Sequence, residues 1–314
     1  MSRHVIFGAG QIGTHVARQL IDAGNDVVVA SRSGRNVPAG ARPVNGDLTD
    51  PDFAATAADG VDIIYFCLNA PNYHSWPEQF PPLQRAAMHA ATVSRSRLVV
   101  LDNLYSYGRT DGQTLTEDLP ARATSAKART RAEMTNELLD AHRRGALDVT
   151  IGRASDFFGP GVTQSALGEQ VFRPALTGKR AQMMGNPNLR HSYSYAPDVA
   201  AGLIALGTPA AASGGIWHLP IAETLSTREL IDAIYKTAGH PTRLTAAGRA
   251  ALGVVGLFKP ELKELRHTLY QFTETWVVDD TKVRNTFGDL STPIWSAIDA
   301  TVQWYRNNPA KEAS

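Results

Sequence analysis

Along the first half of the chain, short apolar runs alternate with stripes of apolar residues at helical spacing. Val5-Ile6-Phe7 reads as a strand, and Ile12, Val16 and Leu20 then recur on one helical face. Val27-Val28-Val29 closes this unit as a second strand. The alternation continues with strands expected over 42–44, 62–68, 98–101 and 148–152, and helices over 52–58, 82–93 and 125–144. A helix over 197–206 and a strand over 216–219 read as a return to the sheet. Strands alternating with helices predict a parallel sheet covered on both faces. Beyond residue 220 the pattern is mostly helical, with Leu262, Leu265, Leu269 and Phe272 on one stripe. The expected fold class is α/β, a doubly wound parallel sheet with a small, mostly helical C-terminal subdomain. Residues 1–160 would form the sheet domain, with 195–219 returning to it. Residues 161–194 and 220–314 would form the substrate-binding part.

The first strand runs into Gly8-Ala9-Gly10-Gln11-Ile12-Gly13. A G-x-G-x-x-G string between a strand and a helix is a Rossmann dinucleotide fingerprint. Gly8 permits the tight turn, Gly10 lets the backbone approach a pyrophosphate, and Gly13 lets helix and sheet pack closely. The helix N-terminus adds unpaired N–H groups and a positive dipole end for the anion. At the end of the second strand, where an acidic residue would bind a ribose 2′-OH, the chain has Ser31-Arg32-Ser33, with Arg35 close by. A guanidinium and hydroxyls suit a 2′-phosphate, so the expected cofactor is NADP, ahead of NAD.

Charge and composition exclude several alternatives. Lys and Arg number 31 against 30 Asp and Glu in 314 residues, a net charge of +1. That balance gives no reason to expect a nucleic-acid or membrane partner. One cysteine, Cys67, leaves no internal disulfide or multi-cysteine zinc site. His74 and His191 lack partners at metal-ligand spacing, so no metal is expected. No apolar run reaches spanning length, and Met1-Ser2-Arg3-His4 enters the first strand directly. A cytoplasmic protein, a monomer or homodimer working on a small molecule, is the expectation.

Further segments match in order and spacing: GDLTD (46–50), FCLNA (66–70), NLYSYG (103–108), RASDFFGPG (153–161) and SYAPDVA (194–200). With GAGQIG and the ending VVDDTKVRNTFG, the chain resembles the short-chain dehydrogenase/reductase superfamily, in its extended, epimerase/dehydratase-like branch. The resemblance implies adenine contacts at Asp47 and Leu48, and a path to the nicotinamide ribose lined by Leu68, Asn69 and Ala70. It also implies departures. Ile6 and Phe7 stand where that branch usually has Thr and the first Gly of its loop, and Asn103 replaces its strand-five serine. No tyrosine is followed four residues later by lysine, the branch's proton-transfer pair. Counting back from Glu133, Ser125 and Arg129 take those places. Arg129 keeps a charge that could hold ribose hydroxyls, but a guanidinium cannot relay protons.

Tyr105, two residues past Asn103, is then the candidate acid. On the substrate side, Tyr73, His74 and Trp76 follow strand four, Asp156 and Phe157 follow strand six, and Tyr193 and Tyr195 precede the helix at 197. Open α/β sheets bind ligands at this edge. The expected activity is NADP(H)-dependent oxidation or reduction of a small, partly apolar carbonyl, enol or imine compound. Two alternatives stand beside it: a non-catalytic NADP(H) sensor or scaffold, and a nucleotide-sugar epimerase or dehydratase.

Overall fold

The computed structural model describes residues 2–70, 75–247 and 268–309. Six strands, β1 (Arg3–Phe7), β2 (Asp26–Ser31), β3 (Arg42–Asn45), β4 (Ile63–Phe66), β5 (Arg97–Asn103) and β6 (Val149–Ala154), join a later strand, Gly215–His218, in one sheet. The order is β3-β2-β1-β4-β5-β6 and then 215–218, with every pairing parallel. The chain winds outward from β1 in both directions, and the crevice outside the strand ends opens where the winding reverses.

Because the sheet is covered on both faces, its central strands are apolar throughout. Val5, Ile6, Phe7, Ile64, Tyr65 and Phe66 are all fully buried. Each such large side chain contributes roughly 1.5–3 kcal/mol on leaving water. One face packs against α2 (Pro51–Ala57), α3 (Trp76–Ser94) and α4 (Ala126–Arg143). The other packs against α1 (Gly13–Asp22) and the helix Ala196–Leu206. A third core joins the helices Glu169–Leu176, Thr227–Ala238 and Ile294–Asn307, where Phe172 stacks on Tyr305 at 5.0 Å. Local signals set the ends. Asp50 caps α2 through Asp52 and Phe53, and Ser226 with Glu229 forms a capping box on the helix beginning at Thr227.

The doubly wound α/β fold and the helical C-terminal region are as expected, but two details differ. α3 starts at Trp76 rather than at 82, running through Pro81 and Pro82. Burial of Trp76 and Phe80 holds the first turns on the core, while Pro81 and Pro82 forgo two backbone hydrogen bonds inside the helix. The part beyond the sheet also contains three two-stranded pairs of short strands, too brief to leave a periodic signature. Of the helical stripe, Leu262 and Leu265 lie outside the described residues, whereas Leu269 is buried. Among the described residues no helix is long and apolar enough to cross a membrane.

Candidate active site

A cleft of about 1590 Å³ runs along the C-terminal ends of the strands and down into the third core. At one end is the glycine turn. Gly8 has φ +110°, and a Cβ there would come within 3.0 Å of the Cys67 carbonyl oxygen. A Cβ on Gly13 would lie 2.0 Å from the Gly8 carbonyl oxygen, so α1 can sit against the turn only without a side chain. Gly10 differs, for a Cβ there meets nothing within 4 Å. It borders open cleft, the space a pyrophosphate needs. Ile12 begins α1 with no side-chain cap, and the first turn holds no acid to repel an anion. These residues fit a dinucleotide diphosphate.

Gln11 is not a free ligand. Its side-chain oxygen accepts from the backbone N–H groups of Thr163 (2.8 Å) and Gln164 (3.1 Å). His15 Nε2 meets the Pro160 carbonyl at 2.8 Å, and Gln19 donates to the Pro197 carbonyl. The face of α1 thus ties the Gly-Pro-Gly segment over the turn.

Beyond β2, exposed Arg32 and Ser33 line the cleft, as do Arg18 and Arg35. None of the three arginines is in an ion pair with a described residue. Asp47 also lines this end. The Thr49 N–H, then its side chain, and to a smaller degree Arg32 hold its carboxyl below the ordinary value. Leu48, Leu68 and Asn69 continue the wall. Ala70 does not join them. It is buried in the core cluster with Trp76 and Phe80 of α3.

The floor lies at the end of β5. Buried Asp102 binds two buried guanidiniums, accepting from Arg131 Nε at 2.7 Å and Arg153 Nε at 3.0 Å. Burial alone would raise its pKa, but the two cations overcome it and hold the carboxyl below its usual range. Arg131 reaches the cleft and lies over the Phe80 ring at 4.4 Å. This corrects the expected helix register. The inward face of α4 carries Lys127, Arg131, Met134 and Leu138. Arg129 is exposed, bonds the Thr124 carbonyl and does not line the cleft, so its expected catalytic place is overturned. Ser125 caps α4 through the Ala128 N–H. Counting back from Leu138 through Met134 would have revealed the true phase.

Asn103 lines the cleft, but its side-chain oxygen is engaged by the Tyr105 N–H at 3.0 Å. Tyr105 lines the cleft half-buried, stacked on Trp76 at 6.0 Å. Trp76, expected on a loop, is a buried helix residue that still forms cleft wall.

Asp156 and Phe157, expected on the substrate side, line the cleft. Asp156 Oδ2 meets Nε2 of buried His191 at 2.9 Å, a pairing that no sequence spacing announces across 35 residues. Tyr193 is buried with its hydroxyl on Thr227. It lines a side pocket of about 350 Å³ that shares Met184, Gln170 and Phe272 with the cleft. Tyr195 lines neither. It packs on Phe158 in the core, and burial pushes its phenol up to about 12, which removes it from the expected substrate wall. Tyr73 and His74 lie outside the described residues. Arg173 is taken by Glu169 and Arg190 by the Thr224 carbonyl, so neither lines the cleft. Burial pushes the Cys67 thiol up to about 12, an inert group.

The sequence profile of the NAD dependent epimerase/dehydratase family matches residues 5–219, more than half of the chain. The chain belongs to that family. Solved structures share its fold from end to end. A dTDP-glucose 4,6-dehydratase from Streptomyces venezuelae, with NAD and TYD bound, has 21% identity and a TM-score of 0.78, over 98% of this chain and 97% of its own. A UDP-glucose 4-epimerase from Thermus thermophilus, in complex with NAD, has 19% identity and a TM-score of 0.78, over 98% and 100%. A dTDP-glucose 4,6-dehydratase from Bacillus anthracis, in complex with NAD, has 13% identity and a TM-score of 0.81, over 98% and 97%. No curated protein matches the sequence.

Proposed function

We propose that this family member is an NADP(H)-dependent oxidoreductase acting on a small, partly apolar carbonyl, enol or imine compound. The observation that carries the reading is the paired character of the cleft. One end has the glycine turn and three arginines with no acid after β2; the other is walled by Trp76, Tyr105, Phe157 and Phe272. At about 1590 Å³ the cleft exceeds the usual single-ligand range of roughly 300–1,000 Å³, so it suits a dinucleotide and a second ligand together.

Gly8 to Gly13 and the start of α1 would hold the pyrophosphate, and Arg32 with Arg18 and Arg35 the 2′-phosphate. Asp47 and Leu48 would border the adenine, and Leu68 and Asn69 the nicotinamide ribose. When bound, the cofactor supplies or takes up a hydride. Arg131, anchored by Asp102, keeps the floor of the cleft positive. Tyr105 would give a hydrogen bond to the substrate oxygen, while Trp76 holds its ring in place and excludes water.

Calorimetric titration with NADPH and NADH, followed by NADPH consumption across a panel of carbonyl and imine compounds, tests the reading. NADPH should bind at least about tenfold more tightly than NADH, a difference of about 1.4 kcal/mol. Equal affinities would remove the NADP preference, and Tyr105→Phe with undiminished turnover would remove that residue from the mechanism.

A second reading, a nucleotide-sugar epimerase or dehydratase working with NAD, is favoured by the family and by the dehydratases and epimerase named above. Against it, among the described residues the cleft arginine nearest that wall is Arg131, and Asp102 already holds its guanidinium. Binding of UDP-glucose or dTDP-glucose to the NAD-loaded protein would decide for it.

A further inference from the structure

Two buried histidines have different hydrogen-bond surroundings. At His218, Nδ1 faces the Asp279 carbonyl at 2.9 Å and Nε2 faces the Tyr107 hydroxyl at 2.8 Å. A carbonyl can only accept and a hydroxyl can donate, so a neutral ring satisfies both contacts. Burial accordingly pushes the His218 pKa down. At His191, Nδ1 faces the Gln271 carbonyl at 3.1 Å, and Nε2 faces the Asp156 carboxyl at 2.9 Å. The Nδ1 contact needs a hydrogen on nitrogen. The Nε2 contact then needs a second hydrogen, carried by the ring or by the carboxyl. Either way a proton sits between Nε2 and Oδ2.

The ring is fixed in this arrangement. It lies 5.1 Å from Phe272 and parallel to it within 3°, and 4.3 Å from Tyr193. Only 3% of the His191 side chain is exposed, against 22% for Asp156, which lines the cleft. No described residue donates to Asp156 Oδ1, and the neighbouring Tyr193 hydroxyl is committed to Thr227. Asp156 is therefore the accessible member of a pair whose partner is closed off from solvent.

We propose that Asp156 and His191 store a proton on the substrate side of the cleft, and that Asp156 exchanges it with the substrate oxygen or nitrogen. The inference rests on the oxidoreductase reading for its substrate class. In the reducing direction the substrate carbon takes a hydride from the nicotinamide dinucleotide, and its oxygen gains an electron pair. That pair forms a new O–H bond with the stored proton. The bond holding the proton to the pair breaks, and its electrons stay behind. Carboxylate and neutral imidazole remain, with Nδ1–H still on the Gln271 carbonyl. Solvent entering the cleft returns the proton through Asp156. Asp156 is the catalytic member, and His191 a positioning residue that acts through it.

The test uses the full chain, labelled with ¹⁵N-histidine and saturated with NADP. In the wild type the nitrogen spectra should show a hydrogen on Nδ1 and a second one between Nε2 and Oδ2. In Asp156→Asn, Nε2 should lose its hydrogen, because an amide can donate to it. With any compound that the wild type reduces, Asp156→Asn should lower kcat about a hundredfold or more while NADPH affinity stays unchanged. His191→Gln keeps a donor to Asp156 but stores no proton, and should lower kcat with little change in KM. A wild-type pair with no hydrogen between Nε2 and Oδ2, on the ring or on the carboxyl, overturns the proposal whatever the turnover, and so does full kcat in Asp156→Asn. Failure of the wild type to bind NADPH would sink the cofactor reading alone, since the nitrogen spectra judge the pair independently.

Discussion

The cofactor end and the substrate end of the cleft are built on different principles. At the cofactor end, six consecutive residues supply the turn, the helix start and the open space, and neighbouring backbone does most of the work. At the substrate end and floor, the charged pairs join residues far apart in the chain. Asp102 meets Arg131 and Arg153, and Asp156 meets His191. A site made of backbone shape is recorded in a local motif. A site made of paired side chains is recorded only in the fold.

Substitutions can break or sharpen this contrast. The largest effect should come from Asp102→Asn, which leaves two buried guanidiniums without their shared carboxylate. Loss of about 3–5 kcal/mol of stability in denaturant unfolding is expected. A loss under about 1 kcal/mol would show that the floor is not held by that charge. Gly13→Ala should follow at about 3 kcal/mol, since its Cβ would collide with the Gly8 carbonyl and one element must move.

Gly10→Ala is the sharper probe, because its Cβ meets no protein atom. Stability should stay within about 0.5 kcal/mol of the wild type, whereas dinucleotide affinity drops about tenfold or more in calorimetry. Unchanged affinity would mean that the ligand does not approach this backbone. Arg32→Glu should weaken NADPH by about tenfold while leaving NADH nearly unaffected.

The smallest effect is a pH slope. Burial lowers the pKa of His4, His15 and His218 from the ordinary value of 6.5. The unfolded chain then binds protons more readily than the native one. Stability contributed by these neutral rings is complete above 6.5 and declines as pH falls below it. Each ring can add a slope of at most about 1.4 kcal/mol per pH unit. His15→Gln, which leaves an amide donor for the Pro160 carbonyl, should flatten the decline in unfolding experiments between pH 6.5 and 5. An identical slope in wild type and variant would exclude His15 as a contributor.

The α4 register shows where local reading ran out. Counting from Glu133 put Ser125 and Arg129 on the functional face, yet the helix turns Glu133 and Arg129 to solvent and buries Lys127 and Arg131. The apolar stripe of Met134 and Leu138, not the motif spacing, sets the buried face. Tyr195 failed for a related reason. Its place in the chain two residues after Tyr193 suggests a common pocket, but Tyr195 ends its strand where the helix Ala196–Leu206 begins, and there it packs on Phe158 in the third core. Trp76 was legible as a wall residue, though not as a helix residue, because the prolines after it read as a boundary.

The sequence by itself determined the sheet, its parallel winding and the glycine turn. Each rests on periodicity or on backbone freedom encoded within a few residues. It also determined that arginine rather than an acid follows β2. Tertiary structure alone decided that Asp102 gathers two cations beneath the cleft and that His191 stands behind Asp156. Those contacts span 29 to 51 residues of chain. No local pattern constrains such pairs, for their cost or benefit exists only once folding has taken them out of water.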